Sequence, residues 1–375
     1  MEQILHEQLM YLPVISVNEP MVLDVSGGCM LNGLRPVPQS HLGSLRRLNF
    51  IACDSGGYQI YQAMRQGKRV LVGPMLRTNA NHPQILTVGV MELCEEYRRI
   101  GASLALTVDF PITFADTDLV YYWKLAESRR ARDLMLEAAP HACPDVELAI
   151  ALQPRHPLEV DHYFCFISTP AVRTYAYPVR ARNEPEAALG NAYVLSFLYH
   201  VGIKRVHFLG SSAPAVIFVL AQAGALGMFE RITWDSLTWK RRAYAGFFYL
   251  NPYTLTPQAI HPSANLRTEL AKYDGVFERT LGRFNPRKWV LAERWADIYN
   301  ILAIEDFKDR LLCAALDGGL DRFVGQFAKY GRRKVDVLDA IRLLERSKID
   351  GHDYIKRHWL NELLAYKHSA MTQSS

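Results

Sequence analysis

Short apolar runs alternate with longer amphipathic stretches over the first two thirds of the chain. The apolar runs are four to six residues long, and their length and the turns around them predict buried β-strands. These runs are Met21–Val25, Leu48–Cys53, Ser103–Val108, Glu147–Leu152, Arg173–Tyr177, Arg205–Leu209 and Arg231–Trp234. Helices are predicted between them at Pro83–Arg99, Asp116–Ala138, Glu184–Val201 and Ala213–Leu226.

A strand that is followed by a helix, repeated many times, predicts parallel strands with right-handed crossovers. We expect an eighth strand near Tyr163–Ile167 or in the early segment of the chain. The predicted fold class is therefore α/β, a (β/α)8 barrel of the TIM type with a C-terminal helical extension. An open doubly wound sheet is the alternative.

The composition changes near residue 250. We predict a barrel domain at residues 1–250 and a helical, basic extension at residues 251–375 that packs on the barrel. Two basic clusters are candidates for contacts with phosphate groups, although a solvated helix face is the alternative for the second cluster. The clusters are Lys240, Arg241 and Arg242, and Arg332, Arg333 and Lys334.

The overall composition restricts the class of protein only in part. Hydrophobic residues make up 49% and charged residues 22% of 375 residues, as in ordinary globular proteins, and the net charge of +5 permits a polyanionic partner. The six cysteines are scattered and are expected to be structural thiols. The N-terminus lacks the pattern of a signal peptide, and no apolar run reaches the length of a membrane span. We therefore expect a cytoplasmic protein with no membrane partner.

Polar residues and glycine lie where the predicted strands end. Active sites of (β/α)8 barrels lie at the carboxyl ends of the strands, so these residues are candidates for one shared site. Each of them alone has an ordinary alternative role in a turn or a helix cap. The candidates are Asp54, Asp109, Gln153, Tyr177, Gly210 and Asp235.

The segment Asp54–Gln59 reads Asp-Ser-Gly-Gly-Tyr-Gln and joins a predicted strand to a helix. Its glycines permit a positive φ and a close approach of the backbone to a planar ligand. Asp54 would offer such a ligand a carboxylate, and Tyr58 an aromatic face. The alternative is a helix N-cap in which Gly56 and Gly57 only form the turn.

This segment resembles the D-S-G-G-[FY]-Q motif of the tRNA-guanine transglycosylase superfamily, whose members exchange a guanine in a polynucleotide for a 7-deazaguanine on a (β/α)8 barrel. Further segments are similar in the same order along the chain. As in the family, Asp109 precedes a proline-containing loop and Gln153 follows an alanine-rich strand. His207–Gly210 with Pro214 is similar to the family segment Y-L-M-G…P, and Trp234–Ser236 is similar to F-D-S.

The resemblance implies a role for each matched residue. Asp235 would be the nucleophile that captures the sugar carbon, and Asp54 would carry a proton between the leaving and the incoming base. Asp109 would accept hydrogen bonds from the guanine edge, Gln153 would donate to its oxo group, and Tyr58 would stack on the base. Other base-binding candidates are Ser55, Gly56, Gly57, Tyr177 and Gly210.

The chain also departs from the family. It lacks the C-x-C-x-x-C zinc pattern after the nucleophile, so we expect no metal and no other cofactor. Ala176–Arg180 stands where relatives have G-L-A-V-G. Met228–Glu230 resembles the M-F-D form of the bacterial branch, which makes Glu230 an alternative nucleophile.

These departures favour the divergent DNA-directed branch of the superfamily, with a 7-deazaguanine base as the small-molecule substrate. Action on tRNA is the alternative. A non-catalytic partner subunit, and a small-molecule lyase or glycosidase that uses paired carboxylates, remain open as well. A homodimer, or partner proteins of a modification system, would fit this reading.

Overall fold

A computed structural model describes residues 8–15, 27–79, 81–179, 187–240, 248–259, 292–326 and 332–358. The strands of the described chain are β1 (Leu9–Pro13), β2 (Gly28–Asn32), β3 (Phe50–Asp54), β4 (Arg69–Gly73), β5 (Ile85–Gly89), β6 (Leu104–Leu106), β7 (Glu147–Ala151), β8 (Thr174–Pro178), β9 (Arg205–Leu209), β10 (Arg231–Ser236), β11 (Phe248–Leu250) and β12 (Pro257–Ala259). Eight of them run parallel and form a nearly closed barrel, in the order β1, β10, β9, β8, β7, β6, β3 and β2.

The two ends of the sheet meet between β1 and β2. Val14 and Met30 form a parallel bridge there, and the Ile15 backbone N–H donates to the Met30 carbonyl at 3.0 Å. On its other side, β1 pairs with β10 so that Leu12 lies opposite Asp235. The prediction of a (β/α)8-type barrel is therefore confirmed, and the open doubly wound sheet is excluded.

Helices follow most barrel strands, and further helices follow the barrel. The helices are α1 (Leu42–Leu45), α2 (Gly57–Arg65), α3 (Val90–Ile100), α4 (Asp118–Ala142), α5 (Val160–Ile167), α6 (Ala187–His200), α7 (Pro214–Ala225), α8 (Ala292–Leu316), α9 (Leu320–Gln326), α10 (Arg332–Asp350) and α11 (His352–His358). Within the described ranges, none of them has both the length and the apolar character to cross a membrane.

Most sequence-based strands agree with the structure. Strands β3 and β6 to β10 lie within two residues of their predicted ends. The predicted strand Met21–Val25 lies outside the described residues. The early segment supplies β1 and β2, whereas Tyr163–Ile167, the other candidate for the eighth strand, is helical as part of α5.

The predicted helix Pro83–Arg99 is wrong over its first part. Ile85–Gly89 forms β5, which pairs in parallel with β4 in a small separate sheet, and α3 begins only at Val90. Alternate burial along β5 and its β-branched Ile85, Thr87 and Val88 favour the extended conformation.

Side-chain alternation along the strands separates the barrel interior from the outer layer. A small cluster fills the interior and includes Leu12, Met30, Leu106 and Ala176. The neighbouring positions, such as Tyr175 and the other outward residues, belong to the larger core that packs against the helices. Residues two positions apart on a strand share a face, so the parity of each position decides whether it faces the interior.

An ionic cluster occupies the amino-terminal end of the barrel. Glu147, at the start of β7, accepts from Arg205 at 3.0 Å and pairs with Arg231 and with the Thr174 hydroxyl. The guanidinium of Arg231 lies 4.8 Å from the ring centroid of Phe50. Burial would raise the pKa of Glu147, but these hydrogen bonds and positive charges outweigh burial and lower it.

The C-terminal helices pack on one side of the barrel. Helix α10 contacts α6 and α7, and α8 contacts α7 and β1. Buried Asn300 on α8 accepts from the Leu250 N–H at 2.7 Å and donates to the Trp239 carbonyl at 3.0 Å. The hydroxyl groups of Ser347 on α10 and Ser196 on α6 form a hydrogen bond of 2.6 Å. The extension and the barrel thus share one core.

We expect Glu147→Gln to lower the free energy of unfolding at pH 7 by about 1 to 3 kcal/mol, because it removes a charge-assisted network of the barrel. The pKa of Glu147 is lowered in the folded protein, so its stabilisation is present above the unfolded pKa and is lost as the pH falls through the folded one. Urea unfolding at pH 7 and at pH 3 measures both effects.

The control for this change is Glu127→Gln, which removes a more exposed pair with Arg130 on one turn of α4. It should cost less than about 0.5 kcal/mol. Equal losses in the two variants would contradict the stabilising role of the cluster at the amino-terminal end.

Candidate functional site

Three aspartates lie at the carboxyl end of the barrel. Asp54 ends β3, Asp109 follows β6 by three residues, and Asp235 is the fifth residue of β10. Parallel strands bring these positions to the same mouth, and the side chains interact electrostatically. Burial raises the pKa of both Asp54 and Asp109, the charge of Asp235 adds to the shift of Asp54, and the charge of Asp54 adds to the shift of Asp109.

The turn after β3 fixes the backbone beside these carboxylates. Gly56 caps helix α2 with φ +88°, a conformation that favours glycine. A side chain there would also overlap Leu34, because a Cβ would lie 2.2 Å from its Cδ1. A Cβ on Gly57 would lie 3.0 Å from Asp109 Oδ1. Both glycines are therefore needed for the close approach of α2 to the site.

Asp54 is half-buried and its pKa is raised to about 6. Burial is the largest cause, and the negative charge of Asp235 adds to it. Hydrogen bonds from the backbone N–H groups of Gly56 and Gly57 oppose the shift. A carboxyl group with this pKa exists in both protonation states near neutral pH, as general acid–base catalysis requires.

Asp109 is almost fully buried, with 3% of its surface exposed. The Ser55 hydroxyl donates to its Oδ1 at 3.2 Å, and the amide of Gln153 donates to its Oδ2. The other end of the Gln153 amide accepts from the Ile112 N–H at 3.3 Å, which fixes its orientation. Burial and the charge of Asp54 raise the pKa of Asp109 to about 7.

Asp235 is held by His207 of the neighbouring strand β9 and by Gly210, the residue that follows this strand. Its Oδ1 accepts from the Gly210 N–H at 3.2 Å and lies 3.2 Å from His207 Nε2. Buried His207 also contacts the Thr233 hydroxyl through Nδ1, at 2.7 Å. The sequence reasoning did not assign His207 a role. The signal was available, because His207 shares the inward parity of Leu209 on β9.

Aromatic side chains are exposed at the same end of the barrel. Tyr58 lies in the first turn of α2 and is 63% exposed. Tyr122 and Trp123 lie in the first turns of α4 and are exposed by nearly half. The ring of Trp123 packs edge-on at 5.7 Å against Phe110, the residue after Asp109. Tyr58 therefore offers a ring to solvent beside the acidic mouth, as its predicted stacking role requires.

Two candidate residues lie apart from this mouth. Tyr177 is buried in the outer layer, where its ring packs at 5.7 Å against Phe208, and its base-binding role stays a prediction. Glu230 precedes β10 at the opposite end of the barrel and lies 3.7 Å from Arg205. One strand length therefore separates Glu230 from Asp235, about 17 Å by the usual rise per residue.

The predicted phosphate contacts fall mostly on residues whose side chains are not described. Lys240 lies in the segment after β10, whereas Arg241 and Arg242 lie outside the described residues. Arg332, Arg333 and Lys334 form the first turn of α10, and only their backbone is described. Their contacts with nucleic acid remain predictions.

Among the described residues, no group of three or more histidine, cysteine, aspartate or glutamate side chains is arranged to hold a metal ion. All six cysteines are free thiols, four of them buried. The expectation that the protein uses no cofactor stays a prediction.

Comparison of the sequence with models of known protein families found no match, and a search among curated proteins found none.

We expect Asp109→Asn to stabilise the protein at alkaline pH. The pKa of Asp109 is raised to about 7, against about 4 in an unfolded chain, so ionisation costs more in the folded state. Its contribution favours folding below about pH 4 and is lost as the pH rises towards 7. At pH 8, the free energy of unfolding of the variant should therefore exceed that of wild type by about 2 to 4 kcal/mol. At pH 4, the two free energies of unfolding should be nearly equal.

The measurement is urea unfolding of both proteins across this pH range. Asp145→Asn, which removes an exposed carboxylate before β7, is the control. A stability difference for Asp109→Asn that does not change with pH would contradict the raised pKa.

Proposed function

We propose that the protein exchanges guanine in a polynucleotide, DNA in preference to tRNA, for a 7-deazaguanine base through a covalent glycosyl intermediate on Asp235. The observation that carries the proposal is the shared mouth of Asp54, Asp109 and Asp235, two of which have pKa values near neutrality. The motif around Asp54, which resembles that of the transglycosylases, supports the same reading.

In the proposed first step, the Asp235 carboxylate attacks C1′ of the target nucleotide. The bond between C1′ and the guanine nitrogen breaks, its electron pair goes to the base, and protonated Asp54 supplies the proton. Carboxylates stabilise the positive charge that develops on the sugar and then capture it, as in retaining glycosidases. The pKa of Asp54, raised to about 6, keeps its acid form available near neutral pH.

The second step reverses the first with a different base. A nitrogen of the incoming 7-deazaguanine attacks C1′, the ester bond to Asp235 breaks, and its electron pair returns to the carboxylate. Asp54, left ionised by the first step, accepts the proton of the incoming base. The site is thereby restored without any other reactant.

Base recognition is assigned to Asp109, Gln153 and Tyr58. Asp109 is held by Ser55 and Gln153 with both oxygens at fixed positions, which suits it to read the donor edge of guanine. One hydrogen of the Gln153 amide is engaged by Asp109, so its other hydrogen is the one assigned to the oxo group. Exposed Tyr58 would stack on the base, which contributes about 1 to 3 kcal/mol.

The polynucleotide must present the nucleotide outside its base stack, because the attacked sugar carbon is inaccessible within a duplex. Unstacking costs a few kcal/mol in a duplex and less in a loop or single strand. The lack of the family zinc pattern and the altered segment at Ala176–Arg180 favour DNA over tRNA. Lys240, Arg241, Arg242 and the basic turn of α10 are the proposed contacts with phosphates.

The test is the exchange of labelled guanine, and of a labelled 7-deazaguanine, into single-stranded DNA, duplex DNA and tRNA. We expect incorporation into DNA and a loss of at least about 1,000-fold in Asp235→Asn, since it removes the covalent route. Trapping of a protein–nucleic acid adduct with wild type, but not with Asp235→Asn, would identify the intermediate.

Glu230→Gln is the matched control, because Glu230 lies at the other end of the barrel, and it should retain activity within about twofold. Incorporation into tRNA alone would show that tRNA, and not DNA, is the substrate. Full activity of Asp235→Asn would reject the nucleophile. No exchange into any nucleic acid would reject the proposed function in favour of a partner subunit or a small-molecule enzyme.

The pH dependence of single-turnover guanine release should depend on Asp54. Release requires the acid form of Asp54, whose pKa is about 6, so the rate should fall by about tenfold per pH unit above that value. Asp54→Asn should be slow and should lack this decline. A wild-type rate that rises with pH above 6 would contradict the assignment of Asp54 as the acid.

A further inference from the structure

We propose that His207 is a positioning residue that holds one oxygen of Asp235, so that the other oxygen attacks the sugar. This inference rests on the proposed function, because it assumes that Asp235 is the nucleophile. It adds His207 of β9 to the machinery around Asp235, beside Gly210, which follows that strand. It also adds Thr233 of β10 as the residue that orients the imidazole.

The contacts of His207 leave little freedom for its ring. The side chain has no exposed surface, and strand pairing places His207 between Ala176 of β8 and Thr233 of β10. Its Nδ1 lies 2.7 Å from Thr233 Oγ1, and its Nε2 lies 3.2 Å from Asp235 Oδ1. Each ring nitrogen therefore has one partner, and both partners belong to β10.

The partners determine which nitrogen carries the proton. An ionised Asp235 can only accept, so His207 Nε2 must donate to it. In a neutral imidazole, Nδ1 is then an acceptor, and the Thr233 hydroxyl donates to it. The same hydroxyl lies 3.4 Å from the Val206 carbonyl, a longer contact than the 2.7 Å to Nδ1. Thr233 thus selects the tautomer with hydrogen on Nε2, and both ring nitrogens of His207 have a partner.

This arrangement makes the two oxygens of Asp235 different. Oδ1 accepts two N–H groups, from His207 and from Gly210, both at 3.2 Å. Negative charge is stabilised at Oδ1, and Oδ2 is left to form the bond to C1′. In the ester, Oδ1 becomes the carbonyl oxygen and keeps both donors. When the incoming base displaces the ester, the same donors stabilise the returning carboxylate, which makes Asp235 a better leaving group.

His207 takes no proton in either step, which separates its role from that of Asp54. The proton of the leaving base goes through Asp54, and the hydrogen on Nε2 stays between His207 and Asp235 throughout. The residue therefore acts through Asp235 and should alter kcat rather than the binding of the polynucleotide.

The first test is spectroscopic and does not depend on activity. Nitrogen-15 NMR of histidine-labelled wild-type protein, with His207 assigned by the loss of its signals in His207→Gln, reports which nitrogen carries hydrogen. We expect hydrogen on Nε2 and an unprotonated Nδ1 at pH 7.5. Thr233→Val should shift the Nδ1 signal, and Thr233→Ser, which keeps the hydroxyl, should not. Hydrogen on Nδ1 in wild type would overturn the arrangement.

The second test is the exchange assay with the same variants. Thr233→Val should lower kcat by about 10-fold and leave KM for the polynucleotide unchanged, whereas Thr233→Ser should stay near wild type. His207→Leu should lower kcat by about 100-fold, in the range known for the loss of one donor to a developing charge. The Thr233 pair decides the question even if His207→Leu does not fold.

The two proposals fail in different ways. Wild-type protein that exchanges no base would reject the proposed function whatever the NMR spectrum shows. Wild-type exchange combined with unchanged kcat in Thr233→Val and His207→Leu would reject only the positioning role. If kcat falls equally in Thr233→Val and Thr233→Ser, and the tautomer of His207 is unchanged in both variants, Thr233 has a structural role alone. This result would also reject the positioning role.

Discussion

Three carboxyl groups share one poorly solvated mouth, and the electrostatic cost of ionising all of them is the constraint on which the site depends. The charge of Asp235 opposes ionisation of Asp54, and that of Asp54 opposes ionisation of Asp109. Two N–H donors hold the charge of Asp235 at one oxygen. The mouth thereby contains one carboxyl group with dedicated N–H donors and two whose pKa values lie near neutrality. One residue type thus supplies groups of different chemistry.

The rest of the fold stabilises this costly arrangement. Glu147 pairs with Arg205 and Arg231 at the amino-terminal end, and the apolar interior separates this cluster from the mouth. The C-terminal helices extend the core beyond α6 and α7. Stability is thus concentrated away from the carboxylates, as expected for a protein in which the functional site itself lowers the free energy of unfolding.

The sequence was sufficient to predict the barrel and the ends of most of its strands, because β3 and β6 to β10 are short apolar runs separated by helices. It was not sufficient to predict β5, because the residues of β5 and α3 together were interpreted as one helix. The aspartates could be located because a position at a strand end follows from local pattern alone. The contacts of His207 could not, since they depend on the register between β9 and β10, which pairs residues 26 and 28 positions apart.

Among the described residues, the C-terminal helices pack on one side of the barrel, and this bears on how the proposed polynucleotide substrate would reach the mouth. The strands that carry Asp235 and His207 belong to the half of the barrel that these helices cover from outside. The exposed aromatic residues Tyr58 and Trp123 follow β3 and β6, in the other half. If the proposed function holds, a bound strand would lie along the half that the described C-terminal helices leave uncovered and would extend a single nucleotide across the opening towards Asp235, so that base recognition and bond breaking would take place on opposite sides of one cavity.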